Sequence, residues 1–138
     1  MKVNLVRKNE DFLMEATNNT GNVVFMDANP AIGGGNGGFR PMQIVLAGLA
    51  GCTSIDVLLI LKKKKQIVTT YAVEIEGQRA EGVEPAVFTQ IHIRFSLSGD
   101  LDSAKVEHAI KLSLEKYCSV AKMLEKTAEI TYSYQINP

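Results

Sequence analysis

The stretch 41–65, PMQIVLAGLAGCTSIDVLLILKKKK, constrains this chain more than any other: it is the longest apolar run, carries one of the two cysteines and ends in four lysines. Pro41 suits the first position of a helix, where the N–H it lacks would be unpaired anyway. As a helix the stretch spans roughly 37 Å at 1.5 Å per residue, the width of a small domain. Length and hydropathy bring residues 44–61 close to a membrane span. Asp56 lies well inside them, and a carboxylate there costs about 2.5–3.5 kcal/mol on insertion. Thr53, Ser54, Gly48 and Gly51 lower the hydropathy further. The remaining chain reads as strands in need of a helix to cover them, so a core helix is expected, not a span. Ala47, Ala50, Gly51 and Ser54 recur at three- and four-residue spacing and form one smooth stripe. Glycine costs about 1 kcal/mol in a helix interior, so the stripe predicts close approach of another helix or sheet. Lys62 to Lys65 lie at the negative end of the helix dipole, as a solvated C-terminus should.

At 138 residues a single domain, 1–138, is expected. Fifteen basic residues against fifteen acidic ones leave no net field to draw nucleic acid or an anionic membrane. Two cysteines are too few for a disulfide scaffold. There is no C-x-x-C, and His92 and His108 have no companion at ligand spacing, so neither a metal nor a cofactor is expected. The N-terminus, MKVNLVRKNEDF, has no apolar signal core. The expected location is cytoplasmic, where a cysteine pair is more often chemical than structural.

Before the long helix, Val3 and Leu5 share one face of a short strand, and Phe12, Met14 and Ala16 alternate with Leu13 and Glu15. Asn9-Glu10-Asp11 and Asn18-Asn19-Thr20-Gly21 are turns, and residues 23–26 form a third short strand. An antiparallel meander follows. Residues 27–40 then hold GGGNGG at Gly33 to Gly38. A P-loop would end in Gly-Lys-Ser/Thr, whereas this loop ends in Phe39-Arg40-Pro41. It reads as a mobile loop beside the mouth of a site, not as a phosphate cradle.

After the helix, Tyr71, Val73 and Ile75 alternate with Ala72, Glu74 and Glu76. Val87, Ile91, Ile93, Phe95 and Leu97 are expected to face the core from a second strand, with His92 on its outer face. Asp102 or Ser103 caps a second helix. Val106, Ala109, Ile110, Ser113, Leu114 and Tyr117 are expected to line its inner side, and it arrives at Cys118. Residues 120–126 form another short helical turn, and Ile130, Tyr132, Tyr134 and Ile136 alternate as a closing strand.

Taken singly, Cys52 and Cys118 are each more often small buried hydrophobes than reagents. If their helices pack side by side, the pair comes within disulfide reach, which needs Cα atoms below about 7 Å. A peroxide-cleaving thiolate becomes a sulfenic acid that a second thiol can condense with. The segment PMQIVLAGLAGCTSIDVLLIL resembles the first cysteine helix of the OsmC/Ohr family: a Pro, then small and aliphatic residues into Gly-Cys, then an Asp. The order of elements is similar too, including a second helix that delivers Cys-x-Val. The resemblance implies an α+β fold with antiparallel strands packed on two cysteine-bearing helices, built as an intertwined homodimer with two sites at the subunit interface. It implies a peroxidatic Cys52, a resolving Cys118, a hydroperoxide substrate, an external thiol reductant and no cofactor.

The chain departs from the family pattern at Met42, where strongly active members have Glu, and at Ser119, where Pro is usual. An OsmC-like stress or ligand-binding protein without peroxidase activity is the alternative that Met42 raises. A reactive thiolate also needs a cation, a helix N-terminus or a metal beside it. Cys52 is about three turns into its helix, beyond the first-turn dipole. The resemblance assigns the cation to an arginine of the N-terminal strands, where Arg7 stands alone, and Arg40 is the second candidate.

Overall fold

The computed structural model describes residues 1–138 and divides into two compact units, Met1–Val45 and Leu46–Pro138. In the first, β1 (Val3–Arg7), β2 (Met14–Asn18) and β3 (Val23–Met26) form the expected antiparallel meander in that order. Asparagine side chains shape both turns. Asn9 Oδ1 accepts from the Asp11 and Leu13 amides, and Asn18 Oδ1 accepts from those of Thr20 and Asn22 around Gly21 at φ +83°.

The glycine loop is tied to its own acid. Asp27 is buried. Its Oδ1 accepts from the Ala28 amide at 2.8 Å, and its Oδ2 from the Gly35 and Gly37 amides at 3.1 and 2.9 Å. These N–H groups, Gly37 first, hold the Asp27 carboxyl below its ordinary value, with the Arg40 guanidinium helping and burial opposing. The loop amides thus already serve an anion supplied by the chain. A Cβ on Gly34 would fall 1.8 Å from the Ala28 carbonyl oxygen, so backbone passes backbone too closely there for any side chain.

The long helix, α1 (Pro41–Lys63), buries Leu49, Thr53, Val57 and Leu61, a stripe at four-residue spacing. It is long and apolar enough to cross a membrane by length and composition. The expected close neighbour is missing from this chain: nothing lies within 4 Å of a Cβ placed on Gly48 or Gly51. With Ala47, Ile55, Leu58 and Leu59 these glycines form an exposed face.

In Leu46–Pro138, β4 (Ile67–Arg79) and β5 (Phe88–Asp100) are long antiparallel partners. The last strand, β6 (Glu129–Ile136), differs from the expected direction: it runs parallel to β5. A parallel partner needs a crossover connection, and α2 (Ser103–Leu112) and α3 (Ser119–Leu124) supply it. Register places Val73, Phe95 and Tyr134 abreast on one face, and Ile75, Ile93 and Tyr132 abreast on the same face two residues on. Tyr71 packs edge-on against Phe95, with centroids 6.5 Å apart. Val87 is corrected. It is 40% exposed, while Phe88 is buried at 4%, because a register shift at Gln78/Arg79 turns the start of β5 over. On the outer face His92 bridges the hydroxyls of Thr131 and Ser133 at 2.7 and 3.0 Å.

Candidate active site

Cys52 and Asp56 are four residues apart on α1, so one turn of helix stacks them on one face. That face borders the buried stripe, and both residues are half-buried. Cys118 arrives from the other side through a local irregularity. Of the two expected caps, Asp102 is the one that starts α2, accepting from the Lys105 amide at 3.0 Å. The helix then widens into a π turn over Ser113–Tyr117, closed by the Cys118 amide on the Ser113 carbonyl at 2.8 Å. The extra residue in that turn corrects the expected inner face: Tyr117 swings out to 51% exposure while Ser113 and Cys118 are fully buried.

Cys118 therefore ends the preceding helix, as expected, and is at the same time the N-cap of α3. Its backbone is extended, at φ −71° and ψ 105°, and its sulfur accepts from the Ala121 amide at 3.3 Å. The result is a compact cluster. Cys52 Sγ, Cys118 Sγ and a carboxylate oxygen of Asp56 all lie within 4.8 Å of one another. Both cysteines are free thiols. Burial pushes the Cys118 thiol up to about 11, the neighbouring Cys52 thiol adds to the rise, and the Ala121 and Val120 amides oppose it.

Ser113 is a site residue that sequence reasoning left as a plain core position. Its hydroxyl donates to Asp56 Oδ2 at 2.9 Å and orients the carboxylate beside the thiols. The signal for it was a polar residue on an otherwise apolar helix face. Asp56 also opens onto a cleft of about 490 Å³ lined by Leu59, Ile60, Lys63, Lys64, Leu112 and Tyr117. The cleft is apolar along its walls and carries two lysines at least 10 Å along the helix from the carboxylate, at 1.5 Å per residue.

The two arginines singled out by sequence belong to Met1–Val45 and have partners there. Arg7 faces Glu10 at 3.9 Å, with both side chains well exposed. Arg40 donates to the Gly38 carbonyl at 3.3 Å, to the Asp27 carbonyl at 3.5 Å and to the Asn36 side-chain oxygen.

Residues 33–133 match the family model described as OsmC-like protein. The chain belongs to this family. Protein YhfA of Escherichia coli strain K12 is 42% identical over 118 residues, covering 85% of this chain and 84% of that protein. Among solved structures, a hypothetical protein from Aquifex aeolicus VF5 is similar at 28% identity and a TM-score of 0.81, covering 99% of this chain and 97% of that one. An organic hydroperoxide resistance protein OsmC from Legionella pneumophila shares the fold, with a TM-score of 0.72 at 14% identity over 98% of this chain and 97% of that one. This OsmC-like chain thus has the family's mixed α+β fold, with two sheets, three helices and two neighbouring cysteines.

Proposed function

We propose that this protein is a cysteine-based hydroperoxide reductase. The reading rests on one observation: two free thiols, 66 positions apart in sequence, meet within 4.8 Å in the same small cluster. Cys52, the more accessible of the two, is the peroxidatic residue. Its thiolate attacks the outer oxygen of a hydroperoxide, the O–O bond breaks, and the alkoxide leaves and takes a proton to become the alcohol. Cys52 is then a sulfenic acid. The sulfur of Cys118 attacks it, an S–S bond forms, and the hydroxyl leaves as water with the Cys118 proton. Closing a bond of about 2.05 Å from a separation within 4.8 Å takes side-chain rotation and a small shift of α3. An external thiol reductant returns the disulfide to two thiols, so no cofactor takes part.

The buried, protonated Cys118 suits the second step, because a thiol pushed up to about 11 does not compete for the peroxide. The apolar walls beside Asp56 favour an organic peroxide. Arg7, or Arg40 supplied by a second copy, is the proposed activating cation. The working form is a homodimer, single-domain in each chain and cytoplasmic; the bare face of α1, with Gly48, Gly51, Ile55 and Leu58 exposed, favours such a partner.

The test is anaerobic mixing of the reduced protein with cumene hydroperoxide, followed by intact-mass analysis. One equivalent is expected to form the Cys52–Cys118 disulfide, and Cys118→Ser is expected to accumulate a Cys52 sulfenate. If neither species forms, the enzyme reading fails. The second reading, an OsmC-like protein without peroxidase activity, is favoured by Met42 at the position where active members carry Glu. Met42→Glu separates the two: a gain in peroxide consumption supports a weakened enzyme, and no consumption by either form supports the second reading.

A further inference from the structure

We infer that the reduced cluster is also a binding site for a soft divalent cation of the zinc class, held by Cys52 Sγ, Cys118 Sγ and Asp56. Three ligating atoms from two separate parts of the fold already converge within 4.8 Å of one another. Tetrahedral zinc, with bonds of about 2.3 Å to sulfur and 2.0–2.2 Å to oxygen, sets its ligands roughly 3.5–3.8 Å apart. The cluster is therefore within about 1 Å of a closed geometry, a distance that side-chain rotation covers. Backbone placement does most of the assembly. Cys52 and Asp56 are fixed by one turn of α1, and Cys118 is fixed by its capping position on α3.

The surroundings are those of a ligand set. Ser113 donates to Asp56 Oδ2 at 2.9 Å, which fixes the carboxylate and leaves its other oxygen free for a cation. The Ala121 amide at 3.3 Å from Cys118 Sγ stabilises negative charge on that sulfur. The thiols give up their protons to solvent as the cation binds, and two thiolates and one carboxylate select zinc over magnesium or calcium, which want oxygen alone. Three protein ligands leave a fourth position for solvent, and Asp56 opens onto the cleft from which solvent would come. Sequence spacing showed only half of this site, because Cys52 and Asp56 are one helix turn apart while Cys118 lies 62 or more positions away. Metal and peroxide compete for the same sulfurs, so a cation here holds the pair reduced and capped, and a disulfide has no thiolate with which to bind it.

Cobalt(II) tests the site directly, because thiolate ligation gives a near-ultraviolet charge-transfer band. Anaerobic titration of the reduced full-length protein is expected to give that band with saturation at one equivalent, together with the visible bands of a tetrahedral ion. Zinc is expected to abolish both by displacement. Cys52→Ser and Cys118→Ser are each expected to weaken the charge-transfer band and shift it. Ser113→Ala is expected to lower zinc affinity by about 10–100-fold, as loss of an outer partner does, and Asp56→Asn by at least as much. Wild-type protein that gives no charge-transfer band overturns the site, as does affinity unchanged in both Asp56→Asn and Ser113→Ala. Peroxide turnover without the cobalt band removes the metal site and leaves the peroxidase reading; the band without turnover does the reverse.

Discussion

Residues 1–45 and 46–138 are held together by different forces. Every buried apolar side chain, from Leu49 to Ala128, belongs to the second unit, and the centre of β5 alone contributes Ile91, Ile93, Phe95 and Leu97. The first unit buries no apolar side chain to that degree. Its one buried residue is Asp27, a charge tied by backbone amides, while β1 is exposed along its whole length and Val3, Leu5, Val23 and Phe25 are open to solvent. The ladder sets Leu5 beside Ala16 and Val24 on one face and Val6 beside Glu15 and Phe25 on the other, so both faces carry exposed apolar side chains, whereas a three-stranded sheet needs a covered apolar face for independent stability. The second unit carries its own core and the thiol cluster. The first is built from ladders and polar anchors, and its apolar residues still lack a cover.

The contrast is broken most decisively by truncating one residue in each unit. Phe95→Ala is expected to cost about 3–5 kcal/mol. Leu5→Ala is expected to cost about 1 kcal/mol or less at low protein concentration, since more than half of that side chain is already in water. Urea denaturation measures both, and equal costs would remove the distinction. A cost for Leu5→Ala that grows with protein concentration would show the sheet covered in a dimer.

A charge on the bare face of α1 is the next test. Leu58→Asp is expected to leave the circular dichroism spectrum unchanged and to halve the sedimenting mass. An unchanged mass would mean that this face is not the interface between copies.

A smaller effect is expected from Asp27→Asn. The folded carboxyl lies below its ordinary value, so its contribution is present above the unfolded value of about 3.9 and is lost as pH falls through the lower folded value. The variant is expected to be less stable at neutral pH and to show a flatter acid limb. A parallel pair of stability-against-pH curves would mean that the loop amides do not hold the charge.

The smallest stability effect lies within the second unit. Burial raises the Cys118 thiol from 9.0 to about 11, so its contribution to stability is complete below about pH 9 and lost as pH rises through about 11. Iodoacetamide at neutral pH is accordingly expected to label Cys52 well before Cys118, read by peptide mapping. Equal labelling would mean that Cys118 is not enclosed.

Much of this molecule was legible without its structure. Asparagine and glycine turns specified the meander, alternation specified the inner faces of β4 and β6, and Asp102 announced the start of α2, because each depends on neighbours a few residues away. Packing decided the rest. The register shift that buries Phe88 in place of Val87 inserts one residue into a ladder, and the π turn that turns Tyr117 out and Cys118 in inserts one into a helix. Such insertions flip the inference from periodicity on one side of themselves, and local propensity does not encode them. The parallel β6 and the amides gathered on Asp27 likewise rest on contacts that close only when the chain is compact. In the site, the four-residue spacing of Cys52 and Asp56 was written in the sequence of α1. The family resemblance pairs Cys52 with Cys118, but nothing in the local sequence brings Ser113 to Asp56, because that contact joins residues more than fifty positions apart through the packing of helix against helix.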